Sequence, residues 1–241
     1  MYGWRARIGI IHPGVSSTDL EEFHRAAPEG VQFVFASLLL PDKFELVTEE
    51  VLYPQMEQIE LAAKQVAQAN VQLIMQHCGA LHMLRGWGSD QEIVTMIEKA
   101  TGIPAVTMGV AEVEALHKLD IRKVVVFTPY EESINAGVEK YIRDAGIEVV
   151  LVKRIGGARE VIEASPYGIY RPIKGAFLQA PPADGMIILG GALRTFEIIQ
   201  ALEYDTGKLV VTANQASLWK ALNMVNVREP IRGYGKLLEV F

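Results

Sequence analysis

Apolar positions along the chain fall into two alternating patterns. Eight short runs are continuously apolar and rich in Ile and Val: ARIGII, VQFVFASLL, VQLIMQ and PAVTMG in the first half, then KVVVFT, IEVVLV, GMIILG and KLVVTA. Unbroken apolar runs of this length predict strands covered on both faces, as in a parallel sheet. Between them, apolar residues recur three and four apart in residues 48–70, 89–101, 134–146 and 196–207. That spacing predicts amphipathic helices. Strand alternating with helix predicts an α/β fold. The stretch IGGAREVIEASPYGIYR, residues 155–171, reads instead as a loop closing over the second half, with ordinary turn chemistry at Gly156 and Gly157.

The pattern also repeats. RIGIIHPGVSSTDLEEFHRAAPEGVQFV, from Arg7, aligns without a gap on KVVVFTPYEESINAGVEKYIRDAGIEVV, from Lys123, placing Pro13 on Pro129, Gly30 on Gly146 and Val34 on Val150. The stretch that opens with CGALHML and closes with GVAEVEAL resembles GGALRTFEIIQALEYDTGKLVVTANQASLWKAL. Its first copy is longer by seven residues, which LRGWGSD can supply as a loop. A repeat of this kind predicts two similar lobes, each a short, mostly parallel sheet flanked by helices, related by a pseudo-twofold axis. The expected first lobe is 1–112, with 223–241 packing back on it, and the second is 113–222. Ligands of open parallel sheets bind beyond the carboxyl ends of the strands. The loops at Pro13-Gly14, Cys78, Pro129-Tyr130 and Gly190 all come after strands, so the site is expected in the cleft, with Cys78 and Gly190 opposed across it.

Bulk properties narrow the class. The chain has 241 residues, 50% of them hydrophobic, and a net charge of -6 with acids and bases interspersed. No basic run offers a footprint for nucleic acid, and no apolar stretch is long enough to span a membrane. The sequence shows no secretory signal, and one cysteine makes no internal disulfide and no metal framework. A reducing cytoplasm is the expected compartment, with no metal and no cofactor. Monomer and homo-oligomer are equally compatible with the sequence.

The candidate chemistry lies in the two glycine loops. Free N–H groups of Gly79, Ala80, Gly191 and Ala192, with helix ends behind them, form two anion nests suited to a small dicarboxylate. Cys78 at a helix start is expected to have its pKa lowered from about 8.5. It then serves as a nucleophile or proton carrier; its other reading is a small buried hydrophobe. Tyr130, opposite Gly14 in the repeat, can donate to a carboxylate or close a strand end, and Thr128, Ser133 and Asn135 cluster near it. Thr107 and Thr212 either line the cleft or cap helices. His77 points away from Cys78 by strand alternation. His82, one turn on, reads as structural. Arg85 and Arg194 are the charged carboxylate candidates, or plain solvated positions. Leu39, Leu40, Met75 and Leu81 are the expected apolar wall.

The two-lobed repeat, the Cys loop after the third strand, and the stretches NQASLWKAL and GYGKLL resemble the aspartate/glutamate racemase superfamily, in the branch of arylmalonate decarboxylase and maleate cis-trans isomerase. The resemblance covers nearly the whole chain. It implies cofactor-free chemistry through an enediolate or a thioether-like adduct. Racemases of the superfamily use two cysteines, one per face. Maleate isomerase has both, the first-lobe one attacking the double bond. Arylmalonate decarboxylase keeps only the second-lobe cysteine, as proton donor to the enediolate. This chain matches the pattern at Cys78, Tyr130 and Gly191. It departs at Gly190, where the second thiol is missing, and at Gly79 and Ala80, where the decarboxylase has hydroxyl residues.

One thiol cannot both remove a proton from one face and return it on the other, so two-thiol racemisation is not expected. Decarboxylation needs only a donor. The first expectation is therefore a cofactor-independent decarboxylase of a substituted malonate-type diacid, protonated by Cys78 from the face opposite to that used by arylmalonate decarboxylase. Pro13, Gly14, Gly79, Ala80, Tyr130, Gly190, Gly191 and Ala192 would hold the substrate. The alternatives are a maleate-type isomerase with Cys78 as nucleophile, a binding protein without catalysis, and a racemase with a non-cysteine base.

Overall fold

The structure, a computed structural model, describes residues 2–40 and 48–241, with the backbone alone at 158 and 159; residues 1 and 41–47 of the expected first lobe lie outside the described residues. The first half runs β1 (Ala6–Pro13), α1 (Thr18–Ala26), β2 (Val31–Leu38), α2 (Glu49–Leu52), α3 (Met56–Ala67), β3 (Leu73–Gln76), α4 (Gly79–Arg85), α5 (Asp90–Thr101), β4 (Ala105–Thr107) and α6 (Met108–Lys118). The second runs β5 (Lys123–Thr128), α7 (Glu132–Asp144), β6 (Glu148–Arg154), α8 (Ala158–Glu163), α9 (Pro166–Gln179), β7 (Gly185–Ile188), α10 (Phe196–Thr206), β8 (Leu209–Thr212) and α11 (Ala213–Met224).

All eight apolar runs form strands. They pair in two parallel sheets of the same order, β2-β1-β3-β4 and β6-β5-β7-β8. The central strands are buried along their length, as continuous apolar runs require: Ile10 sits beside Met75 and Val126 beside Ile187. Helices cover both faces. Ile59, Ala62, Ala63 and Val66 make the buried stripe of α3, and Ile134, Val138, Tyr141 and Ile142 that of α7.

The division expected after Glu112 falls inside α6, and the one after Leu222 falls inside α11. Both helices come after the last strand of their lobe and pack against each other, tied by Lys220 Nζ to Glu114 Oε2 at 2.5 Å. A continuous helix cannot be a linker, so the sheets are connected through the turn at 119–122 and a shared helical seam. The closing residues run along the second sheet's helices. Gln215 Nε2 donates to the Tyr234 carbonyl at 2.6 Å, Trp219 Nε1 to that of Val240 at 3.0 Å, and the Lys236 N–H to Glu203 Oε2 at 3.0 Å. The Arg5–Glu229 ion pair at 2.9 Å links the same segment to the first lobe.

Two further differences matter for the site. Residues 155–171, expected as a loop, carry α8 and most of the first half of α9, with Pro166 in the first turn and the Ser165 hydroxyl accepting from the Gly168 N–H at 3.2 Å. And the two glycine loops do not continue alike. Cys78 leads directly into α4, whereas Gly190 opens a turn, closed by Leu193 N–H to the Gly190 carbonyl at 3.1 Å, and α10 starts only at Phe196. No helix begins directly behind the second nest, contrary to expectation.

Candidate active site

Four loops at strand carboxyl ends meet around one cavity between the lobes, about 680 Å³ including its solvent mouth. Pro13 ends β1, Cys78 with Gly79 and Ala80 succeeds β3, Tyr130 succeeds β5, and Gly190 with Gly191 and Ala192 succeeds β7; all of them line it. Gly14 does not line it. Its N–H donates to the Leu38 carbonyl at 2.8 Å, holding the loop onto β2.

Cys78 is the N-cap of α4 and is 6% exposed. The lowered pKa expected from its place at a helix start is not found. Burial pushes the thiol up to about 11, the Leu81 N–H opposing this and Glu112 adding to it. The environment decides the sign: desolvation of a thiolate in an apolar wall outweighs one backbone dipole. The free protein therefore presents a protonated thiol.

The backbone donors divide unevenly. The Gly79 N–H already donates to Met108 Sδ at 3.1 Å. Those of Ala80, Gly191 and Ala192 have no acceptor among the described residues. Tyr130 is held by its own loop: its N–H donates to Thr128 Oγ1 at 3.3 Å, and Asn135 Nδ2 donates to its carbonyl at 3.1 Å. Thr128 donates in turn to Asn135 Oδ1 at 2.6 Å. Burial raises the Tyr130 phenol well above its ordinary value, so its hydroxyl stays a donor. Ser133 is exposed on α7 and takes no part. Thr107 and Thr212 accept from Val110 and Gln215 N–H groups and cap α6 and α11, outside the cavity wall.

The second-lobe loop cannot simply carry a second thiol. Gly190 has φ +107, and a Cβ there would stand 3.1 Å from Pro129 Cγ. Next to it, a Cβ at Gly191 would stand 2.7 Å from Cε1 of His77. His77 lines the same cavity as Cys78, and its ring lies against Gly191 of the other lobe. Its Nδ1 lies 3.2 Å from Asp19 Oδ2, without the alignment of a hydrogen bond, and His12 Nδ1 lies 2.8 Å from the same oxygen. Burial raises the Asp19 carboxyl, yet the His12 hydrogen bond and the nearness of the two imidazoles outweigh it and hold the group well below the usual range. His12 Nε2 continues to Ser37 Oγ at 3.0 Å. None of this was legible locally, because residues 12, 19, 77 and 191 lie on four different segments.

Helix α1 grips the second lobe's loop. The Thr18 hydroxyl donates to the Ala192 carbonyl at 3.0 Å. Glu22 accepts from the N–H groups of Thr195 at 2.6 Å and Phe196 at 2.8 Å, and from Asn214 Nδ2 at 2.6 Å. It thereby caps α10 across the lobe boundary. Burial raises the Glu22 carboxyl, these donors pull it back, and the balance lies at about 7.

Leu40 is the only one of the four expected wall residues on the cavity. Leu39 is 77% exposed, while Met75 and Leu81 are fully buried in the first-lobe core. Val15, Val51, Leu52, Val161 and Ile162 add to the apolar wall, with Met108, Pro129 and Leu193 beside them. Val161 and Ile162 belong to α8, inside the stretch expected as a loop. Neither candidate arginine reaches the cavity: Arg85 pairs with Glu92, and Arg194 is exposed. His82 is buried off the cavity beside Gln76 and Asp90; burial lowers it to about 4, so it is neutral and no partner of Cys78.

Known proteins share this plan. The arylmalonate decarboxylase family model matches residues 25–238. Arylmalonate decarboxylase of Bordetella bronchiseptica is 25% identical over 163 residues, which are 66% of this chain and 68% of that protein. Maleate isomerase of Pseudomonas putida is 25% identical over 246 residues, 96% of each. A liganded arylmalonate decarboxylase variant, with one glycine exchanged for cysteine and one cysteine for serine, superposes with a TM-score of 0.87 at 23% identity, over 96% of this chain and 98% of that one. No helix among the described residues is long and apolar enough to cross a membrane. This chain belongs to the arylmalonate decarboxylase family of the aspartate/glutamate racemase superfamily, and is an enzyme of its carbon–carbon lyase or isomerase kind.

Proposed function

We propose that the protein is a cofactor-independent decarboxylase of a small substituted malonate-type diacid, with Cys78 as its one proton donor. The observation that carries this reading is the state of the thiol: buried, pushed up to about 11, and sharing its cavity with a glycine, Gly190, and no second cysteine. A protonated thiol is a donor and not yet a nucleophile. In the proposed reaction the bond to one carboxylate breaks, carbon dioxide leaves, and the electron pair spreads over the remaining carboxylate as an enediolate. N–H groups of Ala80, Gly191 and Ala192 and the Tyr130 hydroxyl receive that charge. The leaving carboxylate lies against the wall of Leu40, Val161 and Ile162, which offers it no solvation. Cys78 then protonates the carbon from the first-lobe side, giving the mirror image of a product protonated from the second lobe.

The second reading is a maleate-type isomerase. It is favoured by a relative, the maleate isomerase of Pseudomonas putida, that aligns over 96% of the chain. There Cys78 adds to the double bond as thiolate, the adduct rotates, and elimination completes the cycle. Either chemistry depends on a reduced thiol, which suits a cytoplasmic setting.

Incubation with substituted malonates and with maleate in deuterated water separates the two. Carbon dioxide release with one deuterium at the product carbon is the expected result. Fumarate formed from maleate without gas, with a succinyl mass on Cys78, would replace the decarboxylase reading by the isomerase.

A further inference from the structure

One buried acid beside the thiol has no part in the chemistry so far. Glu112, on α6, is 1% exposed, and its Oε2 has no hydrogen-bond partner. A Cβ at Gly79 would stand 3.3 Å from Glu112 Oε2 and 3.5 Å from Oε1, with Met108 Sδ at 3.3 Å. Glu112 thus fills the space behind the Cys78 loop that a side chain at position 79 would take. The ionisable groups that interact with it come from four other segments: Cys78 before α4, Tyr130 before α7, Asp90 on α5, and Tyr141 on α7, bound to Asp90. Burial first, and the Asp90 charge second, push its carboxyl well above the ordinary range. An unpartnered buried polar atom carries the full cost of desolvation, so a function must justify its presence.

The decarboxylase cycle consumes one proton per turnover, and it leaves a thiolate in a site that solvent barely reaches. We propose that Glu112 is the proton reservoir of Cys78, a carboxylic acid lodged behind Gly79 that restores the thiol after each turnover. The role rests on the decarboxylase reading. First the Cys78 S–H bond breaks and a C–H bond forms at the substrate carbon, leaving S⁻. Then the Glu112 O–H bond breaks and the S–H bond reforms, leaving a carboxylate. A proton carried in by solvent as product leaves re-forms the Glu112 O–H bond and leaves water, which closes the cycle on the one proton it consumes. The acceptor in the second step is the thiolate left by the first, and the donor is the carboxylic acid lodged behind its loop. Glu112 acts through Cys78 and touches no substrate.

The test uses Glu112→Gln, which keeps shape and removes the acid, and Glu112→Asp, which keeps the acid. In rapid-mix experiments with a malonate substrate, the Gln variant is expected to release one carbon dioxide per protein at the unsubstituted rate. Its steady rate then falls about a hundredfold. The Asp variant is expected to recover part of that rate. Without substrate, the pH midpoint for alkylation of Cys78 by iodoacetamide is expected to drop by about one unit in the Gln variant, since a neighbouring negative charge is gone. Equal steady rates without a burst, or an unmoved alkylation midpoint, overturns the inference alone. No carbon dioxide from the unsubstituted protein overturns the decarboxylase reading, and the reservoir role with it.

Discussion

His77, the residue before the thiol, reaches across the cleft and sets its ring beneath Gly191, so that a Cβ at 191 would stand 2.7 Å from Cε1. The two lobes therefore meet at the wall of the cavity through an imidazole and a missing side chain. Gly191→Ala is expected to force the second loop off this ring. It should cost about 1–3 kcal/mol of stability, as overpacking does, and weaken substrate binding more than the chemical step. Denaturant melts and a comparison of KM with kcat check this. A second change, His77→Ala, should relieve the stability loss if contact is its cause.

Restoring the second thiol should not restore a racemase. At φ +107 a cysteine at position 190 is in a backbone region that L residues rarely adopt, and its Cβ presses on Pro129. Gly190→Cys is expected to lose about 1–3 kcal/mol of stability. It should show no deuterium exchange at the α-carbon of a chiral acid product in deuterated water. Fast exchange would mean that the loop re-forms readily.

Cys78 should be unreactive in the free protein at neutral pH. With burial pushing it up to about 11, alkylation by iodoacetamide is expected to be slow at pH 7 and to climb through pH 9 and 10. Cys78→Ala should lower turnover by about 10²–10⁴-fold, the range of a lost general acid. Rapid alkylation at pH 7 would point instead to a thiolate and to the isomerase reading.

Stability should fall as the pH rises through neutrality, because of Glu22. Its folded-state value near 7 lies above the ordinary 4.5, so the folded protein holds this proton more tightly than the unfolded chain. The contribution is full below about 4.5 and is lost progressively up to about 7. The difference corresponds to about 3 kcal/mol. Thermal midpoints measured from pH 5 to 8 should decline, and Glu22→Gln should flatten the decline. A profile unchanged by that substitution would assign the titration to another group.

The strands were legible because a parallel sheet buried on both faces leaves little choice: Val124 to Phe127 and Met186 to Ile188 have no polar alternative. The repeat was legible for the same reason, since both copies build a sheet of the same strand order even where their helices and loops differ in length. Helix α8 was hidden by Gly156-Gly157, and α9 by Pro166 and Pro172, although Ser165 before Pro166 is a capping signal. The cavity loops were legible from strand ends. The thiol's protonation was not. It depends on burial between segments far apart in the chain, and Glu112, which adds to it, lies 34 positions on. The contacts of Glu22 with 195 and 196, and of His77 with 191, span the lobe boundary and leave no trace in local sequence.

Thr18 and Glu22 lie one helical turn apart and hold the stretch from Ala192 to Phe196 at both ends. The loop is encoded in the second half of the chain, yet mechanically it is carried by the first. Selection can thus retune how the second lobe presents its donors by changing α1, a helix that never meets the reacting carbon. Variation in substrate preference among relatives should be sought there as well as in the cavity wall.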